Sequence, residues 1–406
     1  MKLVSLGRSV AGACVRSVVH GWERATLSSR YTGLHNNVDI DTHLHEAIAW
    51  LKRGQDFGED RGVSYGTRFG EGFQASYPET TGYIICTFVE LAEIHGDSEY
   101  LDRAIEMGLW EVAVQMDCGA VMGGRVNKNP TPAVFNTGQV LLGWASLYEA
   151  TGDPRFAAAG ERASAWLMSI QEPNGHWVRG NSDYANKGAT TYNVKAAWGL
   201  AKMGQVTGNE EAVRAAIRNA EYTIAQQAPN GWFANCCLSD PLKPLLHTIA
   251  YTMQGLLGIG ELCARQDFVD SAKRTADQLL KSIDREGFLP GRFDSSMKGT
   301  VGWSCLTGTA QTSIVWSRLF ELTGKEEYRE AAHKANKYLM RRHDITSSDP
   351  AIRGGLAGSW PVWADYAPFM IINWATKFFV DALLSEHLTN TKATGVTRVS
   401  QSRGVS

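Results

Sequence analysis

The chain has 406 residues, 44% hydrophobic and 20% charged, with a formal net charge of −2. This is an ordinary globular composition. It excludes a bulk attraction for nucleic acid, and no apolar run reaches transmembrane length. The seven cysteines are odd in number and irregularly spaced, and no C-x-x-C occurs. They read as buried free thiols in a reducing, cytoplasmic compartment, not as a disulfide framework. Aromatic residues make up 10% of the chain, with thirteen tryptophans. Flat aromatic faces suit sugar rings or isoprenoid cations, and also simply pack cores.

In chain order, the first thirty residues hold five Lys/Arg and one Glu. Arg8 and Arg16 leave only a short apolar span between them, without a cleavage site, so a secretory signal is not expected. Residues 1–38 are expected to form an N-terminal extension; a transit peptide or a membrane-surface helix fits the composition less well. HLHEAIAWLKRGQDFGEDRGVSYG then reads as one amphipathic helix followed by a Gln and a Gly-containing loop.

From there the chain repeats, which is the first thing to look for in a long helical sequence. Apolar helices begin at Glu79, Asn136, Tyr192, His247, Cys305 and Asn373, at offsets of 57, 56, 55, 58 and 68 residues. The turns that follow the first three helices and the fifth share a pattern: HGDSEY, TGDPRF, TGNEEA and TGKEEY. Gly152, Gly208 and Gly324 suit left-handed C-terminal positions. Asp153 and Asn209 suit N-caps, and Pro154 suits a first helical position. Each apolar helix is thus paired with a charged, amphipathic one in a short antiparallel hairpin. The second helices end in QMDCGAV, QEPNGHW, QAPNGWF and DREGFL.

An apolar helix is buried and an amphipathic one lies outside. The first amphipathic helix has no inner partner, and the helix from Asn373 has no outer one. Joining these two closes a ring. The expected fold is therefore all-α, an (α/α)6 toroid of six hairpins over residues 39–388, the sixth made by the N- and C-terminal helices. An open solenoid of tetratricopeptide type has a period near 34 residues and separate caps, so closure fits better. Residues 389–406 carry no acids and little to bury, and are expected to be a disordered tail.

This arrangement resembles the six-hairpin glycosidase and squalene cyclase/prenyltransferase toroids. The loops from Gln171 to Trp177 and from Gln227 to Trp232 are similar to the QW-type loops of squalene cyclases. SYPETTGY, SCLTGTAQ and GGLAGSWP resemble a bacterial toroid family associated with polysaccharide biosynthesis, to which no reaction is attached. The resemblance covers about residues 40–388 and implies a carbohydrate-active enzyme.

In such a toroid the inner-helix N-termini ring one mouth, where free N–H groups and positive helix ends favour polar or anionic ligands. Glu79, Asn136, Tyr192, Asn193, His247, Cys305 and Asn373 stand there. Some of these residues equally suit helix caps, and a lone His often belongs to the core. Their variety favours chemistry, because scaffold demands alone would let one good cap recur. The linkers return to the same mouth with Asp60, Asp183, Tyr184, Asp294, Trp177, Trp232 and Trp303. The longest linker adds Arg353, Trp360, Asp365 and Tyr366; its glycines permit lid movement.

Glycoside hydrolysis needs two carboxylates, for which Glu79 and Asp365 are the best pair. Lyase or C5-epimerase chemistry needs an acid, a base and a donor to a carboxylate. Tyr192, Tyr251, His247, Asn136, Asn373 and Arg353 supply those types and fit it better. The expected catalytic set is Glu79, Tyr192, His247 and Asp365. The expected binding set is Asn136, Trp177, Asn193, Trp232, Tyr251, Trp303, Arg353, Trp360, Tyr366 and Asn373. The expected partner is a glycan or sugar-containing small molecule, with acidic sugars favoured, and the alternative is a non-catalytic binding toroid. D-x-D-D and D-D-x-x-D are missing, which counts against isoprenoid cyclisation. Cys305, His247 and Cys236 or Cys237 have zinc-ligand types without zinc-site spacing. Phosphate and dinucleotide loops are missing too, so neither metal nor cofactor is expected.

Overall fold

Four turns predicted from sequence carry glycine at a helix C-terminus. Gly96, Gly152, Gly208 and Gly324 have φ of 64°, 69°, 72° and 68°, a conformation that costs other residues energy. The next helices start as expected: Asp153 caps one through Arg155 N, Asn209 another through Ala212 N, and Pro154 takes a first helical position. Each turn reverses the chain into an αα-hairpin.

The structure, a computed structural model, describes residues 39–127, 129–181, 188, 190–238 and 240–393. The expected extension 1–38, the chain beyond 393, and Asp183 and Tyr184 lie outside the described residues. Among the described residues the inner helices are α2 (Pro78–His95), α4 (Val134–Thr151), α6 (Val194–Thr207), α8 (Leu246–Leu262), α10 (Leu306–Thr323) and α12 (Asn373–Ala393). The outer helices are α1 (Ile40–Asp56), α3 (Ser98–Val114), α5 (Pro154–Ser169), α7 (Glu210–Ala225), α9 (Gln266–Leu280) and α11 (Glu326–Met340). Each inner helix packs on the next, and α12 packs on both α2 and α1. The first and last helices therefore make the sixth hairpin, as the repeat predicts. Helix α12 runs past Leu388, where disorder was expected: Thr389 is buried and its hydroxyl donates to Ser385 O at 2.6 Å.

Small residues let the inner helices touch backbone to backbone. A Cβ on Gly138 would stand 2.3 Å from Ala196 Cα, and one on Gly199 would stand 1.9 Å from Gly138 O. Outer helices bury a narrow alanine stripe, such as Ala212, Ala215, Ala216 and Ala220 of α7, and turn charge outward. The recurring loop glutamine is a clamp between outer helices. Gln171 Nε2 donates to Gly175 O and to Ala215 O, both at 2.9 Å. Gln115 repeats this with Gly119 O and Ala159 O, at 2.8 and 2.9 Å.

The ring is tied shut at the mouth. Strands β1 (Gly66–Arg68), β2 (Gly72–Phe73) and β5 (Met370–Ile372) form a sheet in the order β2-β1-β5, with β1 antiparallel to both neighbours. A second pair, β3 (Ser304–Cys305) and β4 (Ser359–Trp360), joins the long linker to the start of α10. Asn373 Nδ2 donates to Ser64 O at 2.8 Å and to Thr80 Oγ1 at 2.7 Å, linking the last inner helix to the first. The described cysteines are all free. Among the described residues no helix is long and apolar enough to cross a membrane.

Candidate active site

Pro78 opens α2, and Tyr77 precedes it in extended conformation, as the residue before a proline must be. Glu79 follows in the first turn. The mouth cavity has a volume of about 200 Å³, and among the described residues Glu79 is the one carboxyl group lining it. Tyr77 Oη donates to Glu79 Oε2 at 2.7 Å. The carboxyl keeps contact with the cavity but lies deep in the protein. Burial disfavours its charged form and pushes its pKa up to about 7, against the opposing pull of the Tyr77 hydroxyl.

His247 lines the same cavity. Its Nδ1 meets Gln311 Oε1 at 2.6 Å, and Gln311 Nε2 donates to Gln254 Oε1 at 3.3 Å. That second bond orients the amide so that its oxygen faces the imidazole. Nδ1 therefore carries the proton and Nε2 is the acceptor nitrogen. Burial lowers the His247 pKa to about 4, only partly offset by Gln311, so the ring is neutral at physiological pH.

Aromatic rings form the walls. Tyr65 stacks on Tyr77 at 5.4 Å and meets Trp374 edge-on at 4.8 Å. Phe135 contacts Tyr251 at 4.7 Å and Tyr192 at 5.3 Å. His247 lies 4.3 Å from Tyr251 and 5.4 Å from Tyr366, whose hydroxyl accepts from Trp374 Nε1 at 2.7 Å. Burial raises the pKa values of the Tyr192, Tyr251 and Tyr366 phenols, so these hydroxyls stay protonated as donors. Asn136 donates from Nδ2 to Met122 O at 3.0 Å, and its buried Oδ1 has no hydrogen-bond partner among the described residues. A buried polar atom without a partner is costly.

The cavity thus unites Glu79, Tyr192, His247, Asn136, Tyr251 and Tyr366 from the predicted set. Asp365 is not among its lining residues. It is exposed and ion-paired with Arg292 at 2.6 Å. Arg353 pairs with Glu46 of α1 at 3.1 Å. Trp177 is fully buried and donates to Leu167 O at 2.9 Å, and Trp232 is also buried in the core; they pack the loops that their glutamines clamp. Trp303 lies against Gly291, and the Trp360 ring stands 5.7 Å from the Arg342 guanidinium. Asn193 donates to Asn181 Oδ1 at 3.4 Å, and Asn373 makes the closing bonds described above.

The donors weighed for zinc have other partners. Cys305 accepts from Gly308 N at 3.4 Å, and Cys236 Sγ contacts Thr252 Oγ1 at 3.2 Å. Cavity residues missed from sequence are Tyr65, Tyr77, Phe135, Leu238, Ala367 and Trp374. Phe135 and Trp374 are direct neighbours of Asn136 and Asn373, so the signal was adjacency to a chosen helix start.

No family model and no curated protein matches this sequence. Solved structures do match the fold. Cellobiose 2-epimerase from Bacillus thermoamylovorans B4167 superposes with a TM-score of 0.70 at 10% identity, covering 85% of this chain and 98% of that one. An unsaturated glucuronyl hydrolase specific for heparin gives 0.69 at 13% identity, covering 88% and 98%. A D-mannose isomerase gives 0.68 at 12% identity, covering 86% and 97%. The chain has the six-hairpin glycosidase-like toroid fold. In this toroid the mouth cavity sits at the N-terminal ends of the inner helices, where partial positive charge collects. The arrangement can deliver a proton from a carboxyl poised near neutrality, accept one on a neutral imidazole, and hold an apolar ring face against aromatic walls.

Proposed function

We propose that this toroid is a carbohydrate-processing enzyme that transfers protons on one sugar unit, by chemistry of the epimerase or isomerase kind. One observation carries the reading: a carboxyl group poised at about 7 shares an aromatic cavity with a neutral histidine. At about 200 Å³ the cavity is smaller than the roughly 300–1,000 Å³ of drug-sized sites. It suits one ring or its open chain, with any longer glycan extending outward.

His247 Nε2 takes the proton from the carbon beside the carbonyl of an open-chain sugar. The electron pair left behind forms a C=C bond, and the carbonyl oxygen takes the proton of Glu79, giving an enediol. Returning a proton to the other face, or to the other carbon, gives an epimer or an isomer. Tyrosine hydroxyls donate to the oxygen while charge develops on it. Among the described residues no Lys or Arg lines the cavity, which favours a neutral sugar at the innermost position. An acidic sugar would meet Arg68 and Arg125 only in the adjoining pocket beyond Tyr65.

Glycoside hydrolysis is the second reading, supported by the glucuronyl hydrolase neighbours. Glu79 suits its acid, but among the described residues no second carboxylate lines the cavity. The test incubates the protein with aldoses, reducing disaccharides and unsaturated glucuronyl disaccharides in D2O. Deuterium entering the carbon next to the carbonyl, lost by about 100-fold or more in Glu79→Gln and His247→Asn, supports proton transfer. Release of reducing ends without exchange supports hydrolysis. Binding at the mouth with neither reaction leaves a binding module and overturns the enzyme reading.

A further inference from the structure

The barrel has a second cavity, at the end opposite the mouth. It measures about 520 Å³ and is lined by the later halves of α2, α8 and α10, by α12 from Lys377 onward, and by the inward face of α6. The lining residues nearest the mouth along their helices are Cys86, Lys195, Gln254 and Lys377. Three of the four cations lining this cavity are neutralised by carboxylates. Lys377 pairs with Asp381, Lys202 with Glu149 at 2.6 Å, and Arg318 with Glu261 and Glu321.

Lys195 is different. It is only 5% exposed, and its Nζ has neither a carboxylate nor a hydrogen-bond acceptor among the described residues. Its contact is the Trp198 ring, 4.1 Å away. A lysine in this position loses much of the hydration of its ammonium form without gaining an ion pair. Burial, and then the neighbouring Lys377, holds its pKa well below the usual lysine value, against the weaker opposing pull of Cys86 and Asp381. A desolvated lysine beside a second cation is an activated nucleophile. A structural role would be served as well by methionine, which fills the same space without an amine.

We propose that Lys195 is a nucleophilic amine and that this second cavity takes a small aldehyde or ketone, bound to it as an imine. Nζ adds to the carbonyl carbon. The oxygen leaves as water with both amine protons, so that one C=N bond replaces one C=O bond. Lys377 is held in place by Asp381, which also accepts from Thr87 at 2.7 Å, and it keeps a positive charge in the cavity as the oxygen becomes negative. Cys86 is the competing nucleophile, but burial raises its pKa and keeps it as a thiol.

The test treats the full chain with glycolaldehyde and cyanoborohydride at pH 7, then locates the reduced adduct by peptide mass spectrometry. The ordinary lysine is about a thousandth free amine at that pH, so Lys195 is expected to label at least about ten-fold faster than the exposed Lys298 and Lys337. Lys195→Met should lose this label while mouth activity and melting temperature hold, and Lys377→Met should slow it. Wild-type protein in which Lys195 labels no faster than Lys298 and Lys337 overturns the proposal, and that comparison requires no variant to fold.

Discussion

The Tyr77 hydroxyl donates to Glu79 Oε2 at 2.7 Å, across the single proline that opens α2. The bond favours the ionised carboxylate while burial favours the acid, and the balance falls at about 7. Tyr77→Phe removes only the first influence. The alkaline limb of the pH–rate profile should then move up by about one pH unit or more, since a hydrogen bond to a charged group contributes about 1.5–3 kcal/mol. An unchanged limb would show that Glu79 is not the group titrating in the profile.

Wild-type turnover should be highest between about pH 4 and 7, where His247 is neutral and Glu79 protonated. Above pH 7 it should fall about ten-fold per pH unit. Rates that go on rising to pH 9 would contradict the assignment of Glu79 as the acid.

The same groups set opposing stability slopes. Between pH 4.5 and 7 the folded chain keeps a proton on Glu79 that the unfolded chain has lost, so stability falls as pH rises through that window. His247 has a folded pKa of about 4 against 6.5, so its contribution is present above pH 6.5 and is lost as pH falls through 4. Glu79→Gln removes the first slope alone. Its stability relative to wild type should rise from pH 4.5 to 8 by up to about 3 kcal/mol, at about 1.4 kcal/mol per pH unit, in urea titrations at each pH.

Gln311→Met should lower kcat more than it raises KM. Without the Gln311 oxygen, nothing holds the proton on His247 Nδ1, and a wrong tautomer cannot serve as the base. Nitrogen-15 NMR of the imidazole should show the tautomers mixing. Asp365→Asn, by contrast, should cost less than about ten-fold, because an exposed ion pair contributes little.

Gly138→Ala should be more damaging than Gly96→Ala. The first forces a Cβ to within 2.3 Å of Ala196 Cα, while the second meets open space and bears only the backbone cost of about 1–2 kcal/mol for a left-handed residue. Fixed backbones on both sides make the Gly138 clash an overpacking of about 3 kcal/mol or more. Chemical denaturation of the two variants checks the order.

The repeat was legible because its marks are local. A glycine after the helix, an Asp or Asn cap and a near-constant 55–58-residue offset each depend on residues close in sequence. Closure by the first and last helices followed from one outer helix and one inner helix lacking partners. The ring of helix starts also led to Glu79, Asn136, Tyr192 and His247, now found in one cavity.

Other features depended on rotation and burial. Successive residues on a helix differ by about 100° around its axis, so position at a helix start cannot tell whether Asn373 or Trp374 faces the cavity. Asp365 and Tyr366 are adjacent, yet one pairs with Arg292 at the surface and the other enters the site. The tryptophans of the QW-like loops advertise stacking surfaces, but Trp177 is buried where the glutamine clamps join the outer helices. By itself the sequence determined the period, the hairpins and the closed ring, since hydrophobic pattern and turn chemistry act over a few residues. Only the tertiary structure decided which side chains meet and which hold their protons, because facing direction and desolvation are set by neighbours distant in sequence.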